Sequence, residues 1–390
     1  MKININNTVA VITGAILAGF MNIAFAQQTI TKTLMHDKVL RSYILYIPAK
    51  YTGNSPVPLL FNFHGRTMSA ADQMKMCDFR PVADTAGFIL VHPQGTLFGG
   101  FTAWNVGGFT LGMTADDIGF TEAMIDTIAS AYRINLNKVY SAGFSNGGYF
   151  SFELACKVGN RIAAIASVGG SMTPETYNNC HPMNPTPVIQ IHGTSDPVVY
   201  YYGITWSKPV PDALSYWVAY NNANPVPAVS GLPDLNPADG STVEYYAYKN
   251  GNRCSSVEHY KVNGGLHSWP KTGGIASIQN VDFDASTTIW NFVSKYDING
   301  KIGCTTTGIN EFRSDPGRFE VFPNPSAGRI TILLPPETTE IIITDLTGQQ
   351  ILRTLTSRET VNLNLDRSGV FIVCVKTKKG MLTRKLVVRR

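Results

Sequence analysis

Short, mostly apolar or alternating runs, such as Pro58–Phe63, Asn137–Ala142, Pro187–His192 and Glu258–Val262, take turns along this chain with another kind of stretch. In the second kind, including Thr121–Tyr132 and Gly148–Cys156, apolar residues recur at three- and four-residue spacing. The first kind predicts strands and the second helices. From Gln27 onward the order reads strand, strand, helix, strand, helix, strand, tight turn, helix, strand, strand, helix, with turn-rich insertions at 94–114 and 223–241. Strands separated by helices predict a mostly parallel sheet with helices on both faces, an α/β architecture. After the helical run Ala285–Tyr296 the pattern changes. Residues 299–308 read as a linker, and from Phe319 the runs Arg329–Leu334, Glu340–Thr344, Val370–Val375 and Leu382–Val388 predict a small all-β, sandwich-like domain. The expected division is 27–303 for the α/β domain, 304–318 for the linker and 319–390 for the all-β domain.

Residues 1–26 belong to neither domain. Met1-Lys2 opens a short charged region, Thr8–Phe20 is apolar, and Ala24-Phe25-Ala26 is a small-x-small cleavage site, so a signal peptide for Sec export through the periplasm is expected. The apolar stretch is too short to favour a membrane anchor. Export makes disulfides possible for the six cysteines. Cys156, at the end of one predicted helix, and Cys180, just before the Pro187–His192 strand, are the expected pair. Charge divides with the domains. Residues 313–390 hold 13 Lys/Arg and 7 Asp/Glu, a net +6, so the tail accounts for the whole chain's +5. No aromatic-interleaved basic patch accompanies that charge, and nucleic acid is not an expected partner.

Candidate chemistry centres on Gly143-Phe144-Ser145-Asn146-Gly147, where the run ending at Ala142 gives way to a helix. A serine on so tight a strand-to-helix turn stands clear of its small neighbours, the arrangement of a nucleophile elbow. Asp196 follows the strand Pro187–His192, and His267 lies in the glycine-led loop after Glu258–Val262. Ser, Asp, His is the chain order of the α/β-hydrolase fold, in which Ser145 is the nucleophile, His267 the general base and Asp196 the acid that orients it. The turn His64-Gly65-Arg66-Thr67 follows the strand Pro58–Phe63, so the backbone N–H groups of Arg66 and Asn146 are the expected oxyanion-hole donors. Trp104 and Trp269, with Tyr200–Tyr202 and Trp206, are placed on loops expected to rim the site, Trp104 and Trp269 as substrate-binding residues. Asp116 and Asp117 read as caps of the helix that follows, and His64 and His192 as structural residues. His36, His92, His181 and His259 have no companion at metal-ligand spacing, and no phosphate loop occurs, so neither metal nor cofactor is expected.

The set His64-Gly65, Trp104-Asn105, Asp116–Phe120, Gly143–Gly148, His192–Pro197 and His267–Pro270 resembles the polyhydroxybutyrate depolymerase/feruloyl esterase family, related to carbohydrate esterase family one, over residues 30–300. The resemblance implies a serine carboxylic-ester hydrolase working through an acyl-enzyme on feruloyl or acetyl esters of plant cell-wall polysaccharide. Its alternatives are a polyhydroxyalkanoate depolymerase and, in another class, a catalytically inactive glycan-binding surface protein. Two departures bear on the His267 loop: Leu266 stands where the family often has glycine, and Lys271 where a glycine often follows the proline. The family's usual partner for a cysteine placed like Cys254 is missing from Tyr220–Pro225, so Cys77, Cys254, Cys304 and Cys374 stay unassigned. In the tail, Val321–Gly328 and Ile343–Gly348 resemble the type A sorting domain of the type nine secretion system. That implies outer-membrane secretion machinery as a partner and a secreted or cell-surface enzyme. A carbohydrate-binding module, the rival reading, wants Trp or Tyr for stacking on sugars, and the chain has neither from residue 319 onward.

Overall fold

The computed structural model describes residues 27–304 and, in the tail, 319–389 apart from 336, 337, 357, 359 and 379. The expected signal peptide and most of the expected linker lie outside the described residues. The chain divides into two units, Met1–Cys304 and Thr305–Arg390.

The first unit is built on β1 (Gln28–His36), β2 (Val39–Ile47), β3 (Val57–Phe63), β4 (Ile89–Pro93), the hairpin β5 (Thr96–Phe98) and β6 (Phe101–Ala103), β7 (Ile134–Phe144), β8 (Ala164–Val168), β9 (Val188–Gly193), β10 (Ala228–Gly231), β11 (Thr242–Tyr248) and β12 (Val257–Asn263). Its helices are α1 (Ala70–Met76), α2 (Arg80–Ala86), α3 (Asp117–Ala131), α4 (Asn146–Lys157), α5 (Pro174–Asn178), α6 (Val210–Tyr220) and α7 (Ala285–Val293). Ten strands form one sheet in the order β1-β2-β4-β3-β7-β8-β9-β12-β11-β10. From β4 to β12 every pairing is parallel, while β1, β2, β10 and β11 run antiparallel to their neighbours. The order of the first eight, with the second strand reversed, makes this an α/β-hydrolase sheet.

Strand alternation explains why the central strands are almost wholly apolar. Leu59, Phe61 and Phe63 of β3 face a core shared with Phe120 and Met124 of α3 and Phe150 and Leu154 of α4. Leu60, between them, faces the opposite core with Phe79, Ala83 of α2, and Ile289 and Phe292 of α7. A strand buried on both faces has no polar side to show. Each fully buried side chain of this size contributes about 1.5–3 kcal/mol, so a one-residue slip of β3 would be prohibitive.

Both insertions carry structure that their turn-rich composition did not announce. Residues 94–114 hold the β5–β6 hairpin, and 223–241 hold β10, which extends the sheet although all four of its residues are exposed. With no buried face, β10 has no alternation to betray it.

Cys156 and Cys180 are joined, as their positions suggested. Cys254 bonds Cys304, inside the segment read as linker, so the ordered first unit runs one residue past the expected boundary. Loop closure by each bond contributes between about 3 and 4 kcal/mol. Cys77 and Cys374 are free.

The second unit is a two-sheet β structure. Three strands (Glu320–Phe322, Arg329–Leu333, Thr360–Asn364) form one sheet, and four (Gln350–Leu355, Thr338–Asp345, Gly369–Thr377, Gly380–Val388) the other. Period-two positions Ile330 and Ile332, Ile341 and Ile343, and Phe371, Val373 and Val375 supply its buried core.

Candidate active site

Ser145 sits between the last residue of β7 and the first of α4, with φ 53° and ψ −119°. A non-glycine residue there carries strain of about 1–3 kcal/mol, sustained only where the surroundings fix the turn. The surroundings do. The Ser145 N–H donates to the Val168 carbonyl at 2.8 Å, and its own carbonyl accepts from Gly148 and Tyr149 at 2.8 and 3.1 Å. A Cβ on Gly143 would lie 2.2 Å from the Gly147 carbonyl, and one on Gly147 would lie 2.1 Å from the Phe63 carbonyl. The helix therefore starts in backbone contact with β3 and β7, and its first turn points out of the strand ends.

Asp196 and His267 reach the same edge from β9 and β12, which pair in parallel. Past the strand ends the two loops stay stitched: Thr194 N–H donates to Val262 O at 2.9 Å, Ser195 N–H to Gly265 O at 3.0 Å, and Gly264 N–H to Thr194 Oγ1 at 2.9 Å. Leu266 projects into solvent, so its bulk is accommodated without distorting the loop. His267 Nδ1 lies 2.7 Å from Asp196 Oδ2. The other carboxylate oxygen accepts from the amides of Val198 and Val199, both at 2.8 Å. Burial alone would push the Asp196 carboxyl up. The hydrogen bonds and charge of His192 and His267 outweigh it and hold the group well below the usual carboxylate range. With Nδ1 bonded to a carboxylate, Nε2 of His267 is the nitrogen left to move a proton. The imidazole is seated beside the elbow: its ring centroid is 4.8 Å from that of Phe144, and a Cβ on Gly169 would lie 3.3 Å from both rings.

The third wall is the 64–67 turn. A Cβ on Gly65 would lie 3.3 Å from Ser145 Cβ. Thr67 and Met68 donate their amides to Thr102 and Gly65, leaving that of Arg66 unpaired among the described residues. Asn146, first residue of α4, has one of the orphan amides of a helix N-terminus. Its side chain is locked in a two-way exchange with the Trp104 backbone, Oδ1 accepting at 2.7 Å and Nδ2 donating at 3.1 Å. His64 fixes the turn: Gly95 N–H donates to its Nε2 at 2.9 Å, so Nδ1 carries the hydrogen and donates to Gly65 O at 2.7 Å. Burial of this neutral ring pushes its pKa down to about 4.

Residues 114–212, which include the elbow and Asp196, match the family model for Phospholipase/Carboxylesterase, and residues 320–389 match that for the Secretion system C-terminal sorting domain. Part of the first unit is thus similar to carboxylesterases, and most of the tail to secretion sorting domains. Among curated relatives, a bifunctional acetylxylan esterase/xylanase of Neocallimastix patriciarum is 26% identical over 269 residues, 69% of this chain and 35% of that one. Feruloyl esterase B of Piromyces equi is 29% identical over 58% of this chain and 42% of its own, and feruloyl esterase D of Neurospora crassa is 27% identical over 69% and 86%. The chain thus spans less than half the length of each of the first two. Among solved structures, an acetyl xylan esterase from Aspergillus awamori aligns over 68% of this chain and 99% of that one, with 13% identity and a TM-score of 0.49.

Two residues expected to bind substrate are displaced from that role. Trp104 is wholly buried, stacked on Phe150 with its Nε1 donating to His64 O at 2.9 Å, and Trp269 is buried against Phe79 with its Nε1 donating to Ser286 Oγ at 3.2 Å. Neither indole can stack on a substrate. The two rings brace the 64–67 turn and the His267 loop from beneath. On the 197–208 loop that follows Asp196, Tyr200 and Tyr202 are exposed and Trp206 is half-buried between Phe109 and Tyr149.

The acidic pair also divides its roles. Asp116 caps α3 through Gly119 N–H at 2.9 Å and pairs with His36. Asp117 instead turns inward, buried with Arg41 at 2.7 Å, and accepts from Asn105 N–H, so it anchors the segment after Trp104. Burial, only partly offset by Arg41, pushes its carboxyl up. Two clefts of ≈380 and ≈350 Å³ open around Asp116, and neither is lined by Ser145, Asp196 or His267. Among the described residues no group of three or more His, Cys, Asp or Glu side chains is placed to hold a metal ion.

Proposed function

We propose that this protein is a secreted serine esterase that removes acyl groups, feruloyl or acetyl, from plant cell-wall polysaccharide. The observation that carries the reading is the strained Ser145 at the head of α4, beside an imidazole hydrogen-bonded to a buried carboxylate. Ser145 Oγ attacks the ester carbonyl as His267 Nε2 takes its proton. Arg66 and Asn146 amides receive the developing oxyanion, and Asp196 stabilises the imidazolium. Collapse of the tetrahedral intermediate expels the sugar alcohol, which takes the proton from His267. The acyl-enzyme is then cleaved by water through the same steps in reverse. No step needs a metal or cofactor.

Substrate class is supported by the feruloyl and acetylxylan esterase relatives and by the aromatic 197–208 loop, whose rings suit a phenolic acyl group or a sugar face. A panel of aryl, acetyl and hydroxyalkanoate esters tests it on the mature chain. Feruloyl esters are expected to lead, and Trp206→Ala is expected to raise KM for them several-fold, by about 1 kcal/mol of lost stacking, with kcat little changed. Turnover confined to hydroxyalkanoates would reassign the enzyme as a polyester depolymerase.

The sorting domain supports delivery outside the cell, with Sec export as the proposed first step. A chain spanning residues 27–304 is expected to hydrolyse a soluble aryl ester at nearly the full-length rate, because every proposed reacting group precedes residue 271. A folded but inactive truncation, judged by circular dichroism, would make the tail part of the catalytic unit.

A further inference from the structure

Asp196 has a second histidine beside it. His192, near the end of β9, is wholly buried, with Nε2 2.9 Å from Val199 O and 3.4 Å from Asp196 Oδ2. A carbonyl and a carboxylate can only accept, so the partners place the hydrogen on Nε2, shared between the two oxygens. Nδ1 meets one donor and one acceptor, Gln190 Nε2 and Gly170 O, both at 3.1 Å, whereas Nε2 meets acceptors alone, so Nδ1 is the nitrogen that accepts, from Gln190. Gln190 also donates to Gly170 O at 2.7 Å. Residues 190 and 192 share one face of the strand, so both reach the Gly169–Gly170 turn that touches His267.

The donor count on Asp196 gives this contact its meaning. A carboxylate offers about four lone-pair directions. Val198 and Val199 amides take two on Oδ1 and His267 takes one on Oδ2, which leaves the direction that His192 faces. The contact also closes a ring, from Asp196 Oδ1 through the Val199 amide and carbonyl to His192 and back to Oδ2.

We propose that His192 is a positioning residue for ester hydrolysis: its Nε2–H holds the Asp196 carboxylate in the rotamer that meets His267 and takes up part of its charge. Through Gln190 it ties that carboxylate to the turn beside Ser145. The role rests on the triad reading given above. Both side chains are excluded from water, where a donor to a charged group counts for more than at a surface. The titratable groups around the ring are Asp196, His267, His259, Tyr201 and, on the far side of Asp196, Tyr149.

The test uses the full-length enzyme, with rates expressed per site labelled by a serine-directed organophosphonate, so that misfolded molecules are not counted. His192→Asn, whose amide reaches the place of Nδ1 but not of Nε2, is expected to lower kcat about 10- to 100-fold with little change in KM. It is also expected to move the acid limb of kcat/KM upward by about half a pH unit, because a carboxylate with one donor fewer attracts the imidazolium proton more strongly. His192→Gln, whose amide reaches the place of Nε2, should restore most of the lost rate and the original limb. Equal behaviour of the two variants, or a loss of rate with an unmoved limb, would make His192 a packing residue and overturn the proposal. Ser145→Ala, assayed alongside, separates this outcome from failure of the triad itself: hydrolysis surviving in that variant removes both.

Discussion

Replacing Ser145 or His267 with alanine is expected to lower kcat for a soluble ester by a similar factor, on the order of a millionfold, because nucleophile and base act as one unit. Asp196→Ala should cost less, on the order of ten-thousandfold, since the base survives without its orienting partner. A double Ser145→Ala, His267→Ala variant should be no worse than either single change. Steady-state kinetics measure the losses, and mass spectrometry of the organophosphonate adduct locates the nucleophile. Near-normal hydrolysis by Ser145→Ala, or an adduct elsewhere, would dismiss the assignment.

Acid is expected to destabilise the first unit well before its carboxylates titrate. Burial lowers three histidines: His64 to about 4, and His92 and His259 to about 3. For His259 burial outweighs the hydrogen bond from Nδ1 to Gln190 O at 3.1 Å, which favours the protonated ring, while Nε2 faces the Tyr201 hydroxyl at 2.9 Å. Unfolded, each takes a proton near pH 6.5. Between that value and the folded one, the unfolded chain binds more protons than the native one, so stability rises with pH across the window and is lost as pH falls. Each ring contributes up to about 1.4 kcal/mol per pH unit, and the three together make the unit roughly 5 kcal/mol less stable at pH 5 than at pH 7. Asp196, held low, adds a further loss only below the unfolded carboxylate value, while Asp117 and Glu153, raised by burial, act in the opposite sense nearer that range. Denaturant midpoints at the two pH values measure the effect. His259→Gln should remove about a third of the slope, and a midpoint unchanged between pH 7 and pH 5 would contradict the mechanism.

The α/β class and the loops that bear Ser145, Asp196 and His267 were legible because each is marked by a change of periodicity. A buried strand is a run of apolar residues, and the glycines after it announce the turn. What was illegible depends on direction rather than position. Trp104 and Trp269 do stand on loops by the site, but nothing in a sequence tells whether an indole points outward or finds a carbonyl or hydroxyl beneath, as these two do. Asp117 was read with Asp116 as a cap, whereas adjacent residues at a helix start point to different sides, and only Arg41, distant in sequence, reveals the inward one. His192 looked like the end of a strand, and its contact with Asp196 is created by a loop that folds back over it. Cys304 was hidden for another reason: a flexible-looking glycine and threonine context masked a residue tied to Cys254.

That last bond also fixes where the first unit ends. Cys304 is the final described residue of the first unit, and Cys254 lies between β11 and β12, in the sheet that carries His267. If a peptidase severs the chain directly after Cys304, the new end is fastened through Cys254, and trimming enzymes that work inward from a free terminus meet a covalent stop. A first unit cut there would carry no frayed edge at which degradation could start.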